Sequence, residues 1–144
     1  MSVNQRRFAA AFTLVELMVV VLIVAILAAA AIPIMRGRID SAKWSEGKAM
    51  MGTIATAIRT YRGEKGTNGT PPDTIIGTDL TSLGFAAGDL TGTYFSDECF
   101  SISVTGMDPL TFTITCTAED STRPEPPTNP GAYTLNQLGE FAAQ

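Results

Sequence analysis

The apolar positions of this chain follow three different patterns from its beginning to its end. The first is a run of 19 residues, Leu17 to Met35, without a charged or hydroxyl side chain. As an α-helix, with a rise of about 1.5 Å per residue, such a run is roughly 28 Å long and matches the hydrocarbon core of a bilayer. The pattern therefore predicts a membrane-length helix that begins near Phe12, because no helix-breaking residue follows before Pro33.

The second pattern begins after Pro33, where the apolar positions recur at alternating steps of three and four residues. This spacing places them on one face of an amphipathic helix. The apolar face contains Trp44, Gly47, Met51, Ile54, Ile58 and Tyr61, and the opposite face carries Arg38, Lys48, Arg59 and Arg62. Gly63 and Gly66 favour the end of this helix. If Pro33 kinks the helix without breaking it, one continuous helix is predicted from about Phe12 to Tyr61.

The third pattern is an alternation of apolar and polar residues in the last third of the chain. Over residues 98–105 and 110–118, Ser and Thr alternate with apolar side chains, and this period of two predicts β-strands. A turn at residues 106–109 connects them, and a further strand is predicted over residues 132–141 with a break at Gly139. The expected fold class is therefore α+β: a long N-terminal helix whose second half packs on an antiparallel sheet of three or four strands.

Composition narrows the classes of function. The chain of 144 residues contains no His and two Cys, and its formal net charge is −4. Without His, catalysis by a Ser–His or Cys–His pair and imidazole ligation of a metal are excluded, and two Cys alone cannot form a structural zinc site. The negative charge argues against direct binding of nucleic acid, which needs a basic surface. We therefore predict no catalytic residue, no metal site and no enzymatic activity.

The charges are also separated along the chain. Residues 33–65 carry seven basic and three acidic side chains, whereas residues 66–144 carry ten acidic side chains and one basic side chain, Arg123. Two interpretations stay open. The charges solvate two separate surfaces, or the basic segment of one copy attracts the acidic head of a neighbouring copy in an assembly.

A carboxylate lies close to the start of the membrane-length run. Glu16 follows the sequence Ala11-Phe12-Thr13-Leu14-Val15, so it lies one turn into the predicted helix. An ionised carboxylate in lipid is costly, so such a residue either has a partner and a function or lies at the membrane interface. At the interface, the positive end of the helix dipole favours it.

These residues resemble the class III signal of type IV pilins and type II secretion pseudopilins. The family pattern is a short basic leader, a small residue, Phe-Thr-Leu-x-Glu and a long apolar helix, and residues 6–61 follow it. The resemblance implies cleavage by a prepilin peptidase between Ala11 and Phe12, followed by N-methylation of Phe12. It also implies an assembly role for Glu16 and a helix kink at Pro33. At position 11 the family usually has Gly, which is small like Ala11.

The resemblance also implies a layout and a location. Residues 1–11 are the leader peptide, 12–35 the transmembrane and filament-core helix, 36–65 the amphipathic helix and 66–144 a β-rich globular head. The chain crosses the bacterial inner membrane once, with its head on the periplasmic side, and an inner-membrane platform then assembles it into a helical homo-oligomeric filament. The excess of Lys and Arg after the run predicts the opposite orientation, and we follow the resemblance because its motif is more specific.

Three hypotheses for the function remain. The first is a subunit of a type IV pilus-like filament, in which the amine freed at Phe12 pairs with Glu16 of the same or a neighbouring copy. The second is a type II secretion pseudopilin: residues 36–43 are similar to that group, but the head lacks the Tyr-Pro-rich segment of its major member. The third is a membrane-anchored binding module that does not polymerise. An ordinary secretory signal cleaved near residues 28–31 is the alternative for processing, and Glu16 inside its apolar region argues against it.

Cys99 and Cys116 lie near the outer ends of the first two predicted strands. In an oxidising compartment two Cys suggest a disulfide, and two separate thiols are the alternative. A turn centred between Met107 and Asp108 places the two Cys opposite each other but mixes the apolar and polar faces, and a β-bulge would reconcile the registers. No cofactor is predicted. Calcium, which major pseudopilins often bind near the C-terminus, finds no matching motif among the acidic residues.

Overall fold

The computed structural model describes residues 12–67, 75–76 and 80–144, and in these one long helix is followed by a small sheet. The helix is α1 (Leu14–Lys65), and the strands are β1 (Ile75–Ile76), β2 (Phe100–Met107), β3 (Leu110–Thr117), β4 (Ala132–Asn136) and β5 (Phe141–Ala143). Three short 3-10 turns span Leu80–Leu83, Asp97–Cys99 and Ala118–Asp120. The chain divides into two compact units, residues 1–36 and 37–144. The expected α+β class is confirmed.

Helix α1 passes through Pro33 without interruption and ends at Lys65, four residues beyond the predicted end at Tyr61. Gly66 terminates it with a φ of +72°, and its N–H donates a hydrogen bond to the carbonyl oxygen of Arg62 at 2.9 Å. A positive φ costs glycine little, so this residue suits the end of a helix. The kink at Pro33 stays a prediction.

The five strands form one antiparallel sheet in the order β1-β2-β3-β4-β5. Strands β2 and β3 are the two predicted from the period of two, and their register shifts between Val104 and Gly106. This irregularity lets Ile102 pair with Ile114 so that the apolar residues of both strands share one face, but it does not place the two Cys opposite each other. The last predicted strand is divided into β4 and β5 by a turn at Gly139, whose φ is +85°.

The core lies where the apolar face of α1 meets the sheet. The predicted face is confirmed, since Trp44, Gly47, Met51, Ile54 and Ile58 are buried and Tyr61 is half-buried. The ring of Trp44 contacts those of Phe95 and Tyr133, with centroids 4.9 and 4.8 Å apart. Gly47 lies against the ring of Phe95, where an added Cβ would be 3.0 Å from the ring carbons. Glycine at this position therefore allows the aromatic cluster to pack directly on the helix.

The basic residues of α1 were predicted to face away from the head, and for three of them this is wrong. The ammonium of Lys48 lies 3.9 Å from the ring centroid of Tyr133. Arg59 donates to the carbonyl oxygen of Gln137 at 3.3 Å, and Nε of Arg62 to that of Met107 at 3.0 Å. The apolar stems of these side chains cover the edges of the core, while their charged ends reach an aromatic ring or carbonyl oxygens. Helical periodicity does not represent this property. Arg38 is exposed, as predicted.

Candidate assembly site

The first turn of α1 holds the motif residues in a closed hydrogen-bonded arrangement. The hydroxyl of Thr13 donates to Oε2 of Glu16 at 2.9 Å, and the N–H of Thr13 donates to the same oxygen at 3.1 Å. In return, the hydroxyl oxygen of Thr13 accepts a hydrogen bond from the N–H of Glu16 at 3.1 Å. This is a capping box, in which Thr13 is the N-cap and Glu16 the third helical residue. It satisfies N–H groups that the first turn of a helix leaves without a partner.

The structure therefore brings three motif residues, Phe12, Thr13 and Glu16, into one turn. Thr13 was not predicted as a functional residue, although the spacing Thr-x-x-Glu at residues 13–16 is a recognisable signal for a capping box. Phe12 is 80% exposed, so the residue predicted to follow the cleavage site is accessible. Ala11 lies outside the described residues. Cleavage between Ala11 and Phe12, N-methylation of Phe12 and the assembly role of Glu16 stay predictions.

The apolar segment of α1 that follows has no cover from the protein itself. Every described side chain from Phe12 to Ile39 is exposed, and the large apolar residues between Leu17 and Met35 are 49% to 65% exposed. A soluble protein buries such side chains, and so large an apolar surface marks contact with a membrane or with another protein. By its length and composition α1 can cross a membrane. The small residues Ala25 and Ala28 to Ala31 allow neighbouring helices to approach closely.

A buried carboxylate of α1 holds the loop before β4. Asp40 is 8% exposed, and its Oδ2 accepts hydrogen bonds from the hydroxyl of Thr128 at 3.0 Å and from the N–H of Asn129 at 3.1 Å. One turn further along the helix, Nε1 of Trp44 donates to the carbonyl oxygen of Pro130 at 2.9 Å. We name the contact of Asp40 with Thr128 and Asn129 the Asp40 clasp. It fixes the head to the first helical turns of its compact unit.

A second carboxylate of α1 holds the loop before β2. Oε1 of Glu46 accepts hydrogen bonds from the N–H groups of Tyr94 at 2.9 Å and Phe95 at 3.3 Å. Gly92 lies directly over this carboxylate, where an added Cβ would be 2.3 Å from Oε1 of Glu46. Neither Asp40 nor Glu46 was predicted as a contact residue, because a single acidic side chain on an amphipathic helix is usually solvated.

Both cysteines carry free thiols in the structure and are buried, so the predicted disulfide is not found there. The observed register pairs Phe100 with Cys116, and Cys99 lies one residue earlier, in the 3-10 turn before β2. Sγ of Cys99 accepts a hydrogen bond from the N–H of Ser96 at 3.4 Å. Burial raises the pKa of Cys116, and the nearby Cys99 and Asp120 raise it further. Its thiol is therefore protonated and weakly nucleophilic at neutral pH.

The acidic pair at residues 97–98 is divided between two environments. Asp97 is buried, and its Oδ1 accepts hydrogen bonds from the N–H of Leu90 at 3.2 Å and the hydroxyl of Thr91 at 2.9 Å. Its Oδ2 accepts a short hydrogen bond from the N–H of Gly88. Asp97 therefore orders the loop before β2, whereas Glu98 is exposed. Among the described residues, no group of three or more His, Cys, Asp or Glu is arranged to hold a metal ion.

Comparison with known proteins finds one family model that matches the N-terminal part of the chain and one relative that aligns with 58 residues. Residues 6–32 match the family model of the prokaryotic N-terminal methylation motif. The chain is also similar to the type II secretion system core protein G of Pseudomonas aeruginosa, with 45% identity over 58 residues. That alignment covers 40% of this chain and 41% of the relative, so less than half of the relative's length is matched. No solved structure matches the chain.

Proposed function

We propose that this chain, which belongs to the type IV pilin and pseudopilin family, is a structural subunit of a type IV pilus-like filament. Members of this family are structural subunits and not enzymes. Among the described residues, the observation that carries the proposal is the exposed apolar surface of α1 from Leu17 to Met35, preceded by the capped motif turn at Phe12 to Glu16. A bilayer covers that surface before assembly, and the same segments of neighbouring copies cover it in the filament.

The capped turn supplies the chemistry of assembly. Hydrolysis of the peptide bond between Ala11 and Phe12 leaves a carboxylate on the leader and a new amine on Phe12. This amine is cationic at neutral pH, and it lies within one helical turn of the Glu16 carboxylate. In the low-dielectric bundle of apolar helices, the amine of an incoming copy attracts the Glu16 carboxylate of a copy already assembled, much more strongly than in water. This attraction sets the axial position of each new copy.

The same features support a proposal for the location. The chain is anchored in the inner membrane by the segment 12–35, and we place the head, residues 66–144, on the periplasmic side. A prepilin peptidase that also methylates the new amine processes the leader on the cytoplasmic side. An inner-membrane assembly platform then extracts the processed chain into the filament. These partners are the ones that the family uses, and the methylation motif at residues 6–32 supports their use here.

A secretion pseudopilin is the alternative within the same family. The relative in Pseudomonas aeruginosa is named for the type II secretion system. However, the alignment with it covers 58 residues, which is 40% of this chain. The match therefore supports a pilin-like role and does not separate a pilus from a secretion filament. A strain that lacks the protein separates them: a pilus subunit is needed for long surface filaments, and a pseudopilin for the release of secreted proteins.

The test of the proposal uses two substitutions of one residue. Glu16→Leu removes the charge and the cap, whereas Glu16→Gln keeps an acceptor for the cap, since Gln also serves in a capping box. We expect both variants to accumulate in the membrane and to begin at Phe12, as measured by mass spectrometry, but to reduce sheared filament at least tenfold. The matched control is Thr13→Ala, which removes the cap and keeps the charge, and we expect it to assemble.

Two outcomes would contradict the proposal. Wild-type levels of filament from Glu16→Gln would show that Glu16 serves the helix cap alone and that no ion pair orders assembly. A mature chain that begins near residues 31 or 32, after an ordinary secretory cleavage, would remove the anchor altogether.

A further inference from the structure

The charges of the head are mostly not neutralised within the chain. In the described part of the chain, Arg62 and Asp108 form the one ion pair, with 3.7 Å between the guanidinium and the carboxylate. The other cations of α1 that reach the head bind uncharged groups: Lys43 donates to the carbonyl oxygen of Glu125 at 2.8 Å, and Lys48 lies over Tyr133. The cations of the helix therefore leave most acidic side chains of the head without a positive partner.

Arg38 is a cation whose side chain contacts no partner in the described part of the chain. Its side chain is exposed, and the guanidinium makes no hydrogen bond, ion pair or ring contact with a described residue. It lies two residues before Asp40, at the start of the part of α1 that the head holds. A guanidinium presents five N–H donors in a fixed plane, which suits it for binding one or two carboxylates.

Three exposed carboxylates lie together on the head. Glu98 belongs to the 3-10 turn before β2, and Glu119 and Asp120 belong to the 3-10 turn after β3. The two turns meet because β2 and β3 are paired at these ends, with Phe100 opposite Cys116. We name Glu98, Glu119 and Asp120 the acidic rim. None of them forms an ion pair in the described part of the chain, although Arg123 follows three residues after Asp120.

Glu119, one member of the acidic rim, lies near the level of Arg38 along α1. Glu119 lines a surface cavity together with Pro127 and Thr128, and Thr128 is bound by Asp40. Within one chain, however, Arg38 does not form an ion pair with the rim. In the proposed filament all copies have the same orientation, so a neighbouring copy displaced by a small axial step presents its Glu119 within a short axial distance of this Arg38.

We infer that Arg38 docks on the acidic rim of a second copy of this chain. The inference rests on the proposed function, since it names the partner surface that the filament uses beyond the apolar segments. The occupant is a second copy because its rim supplies the opposite charge at the required level. The contact selects neighbours with the correct stagger, since an incorrect stagger leaves Arg38 and the rim unpaired or brings like charges together.

Charge reversal tests the inference in the full-length protein. Arg38→Glu places a carboxylate against the rim, and we expect it to reduce sheared filament about tenfold or more while the protein in the membrane stays at the wild-type level. A second reversal, Glu119→Arg, is expected to reduce filament likewise and to restore it when combined with Arg38→Glu. The matched control is Lys65→Glu, which makes the same change of charge at the far end of α1 and is expected to leave the yield unchanged.

Cross-linking shows directly which copies meet. Cells that express Arg38→Cys and Glu119→Cys on separate copies are expected to give a disulfide-linked dimer in filaments, and neither variant alone is expected to give it. Filament at the wild-type yield from Arg38→Glu, or no linked dimer in the mixed filaments, would overturn the inference. Failure of the proposed function is a different result, because the wild-type chain itself would then form no filament.

Discussion

The Asp40 clasp provides a test of how the head is fixed to the helix. Replacement of Asp40 by Ala removes two hydrogen bonds of normal length, those from Thr128 and Asn129. The third contact, from the N–H of Thr128, is 3.4 Å long and adds little. A hydrogen bond to a charged group contributes about 1.5 kcal/mol or more, so the free energy of unfolding is expected to fall by about 3 kcal/mol. Asp40→Asn keeps one acceptor oxygen, and we expect about half of that loss.

The assay follows the fluorescence of Trp44, the single tryptophan of the chain, during urea unfolding of the full-length protein in detergent. Trp44 is a suitable probe because its side chain is buried and binds the carbonyl oxygen of Pro130, next to the clasp. The control is Glu98→Ala, an exposed substitution without a partner, which is expected to change stability by less than about 0.5 kcal/mol. A decrease of less than about 1 kcal/mol in the free energy of unfolding for Asp40→Ala would refute the reasoning. The two hydrogen bonds would then be hardly stronger than the bonds that the same groups form with water.

Two further predictions concern glycines of α1, and two more concern the cysteine thiols. Gly47→Val forces a branched side chain against the ring of Phe95 and is expected to destabilise the head by about 1–3 kcal/mol. At Gly52 an added Cβ meets no atom within 4 Å, so Gly52→Ala is expected to stabilise the protein by about 0.5–1 kcal/mol in the same urea assay. The thiols of Cys99 and Cys116 are expected to resist alkylation in the native protein and to react after denaturation without reductant. If neither thiol reacts after denaturation, the two Cys form a disulfide. Because the pKa of Cys116 is raised in the folded protein, the free energy of unfolding is expected to fall above about pH 8.5, where the unfolded thiol ionises and the folded one does not. Cys116→Val is expected to remove this contribution to the pH dependence of stability.

The regular parts of the fold could be predicted because their signals are periodic. Spacings of three and four residues identified the buried face of α1, and the alternation in β2 and β3 identified both strands. Matched apolar faces conflicted with a register that places the two Cys opposite each other, and the alternation alone left both registers open. The contacts of Asp40 and Glu46 could not be predicted in this way. Each depends on a loop that lies tens of residues away in sequence, and a lone carboxylate has the same appearance whether it is solvated or bound.

Thr13 shows a different reason for a missed residue. Its signal is local and complete in the sequence, but the charge of Glu16 was interpreted through the membrane interface and the helix dipole, and not through hydrogen bonds to Thr13. The structure assigns the same carboxylate to a cap before processing. The cap and the proposed pairing with an amine use the same oxygen atoms, so a sequence argument that gives Glu16 one role misses the other.

The edges of the sheet have a consequence for the proposed filament. Among the residues that the structure describes, strand β1 has two residues and strand β5 has three, and these are the outer strands of the sheet. An outer strand offers unpaired N–H and C=O groups to any other strand, and a long one becomes a template for amyloid-like growth. Edges this short offer too few of these groups for heads held side by side to fuse their sheets. In the proposed filament, contacts between copies are then left to side chains and to the apolar segments of the helices, not to pairing between sheets.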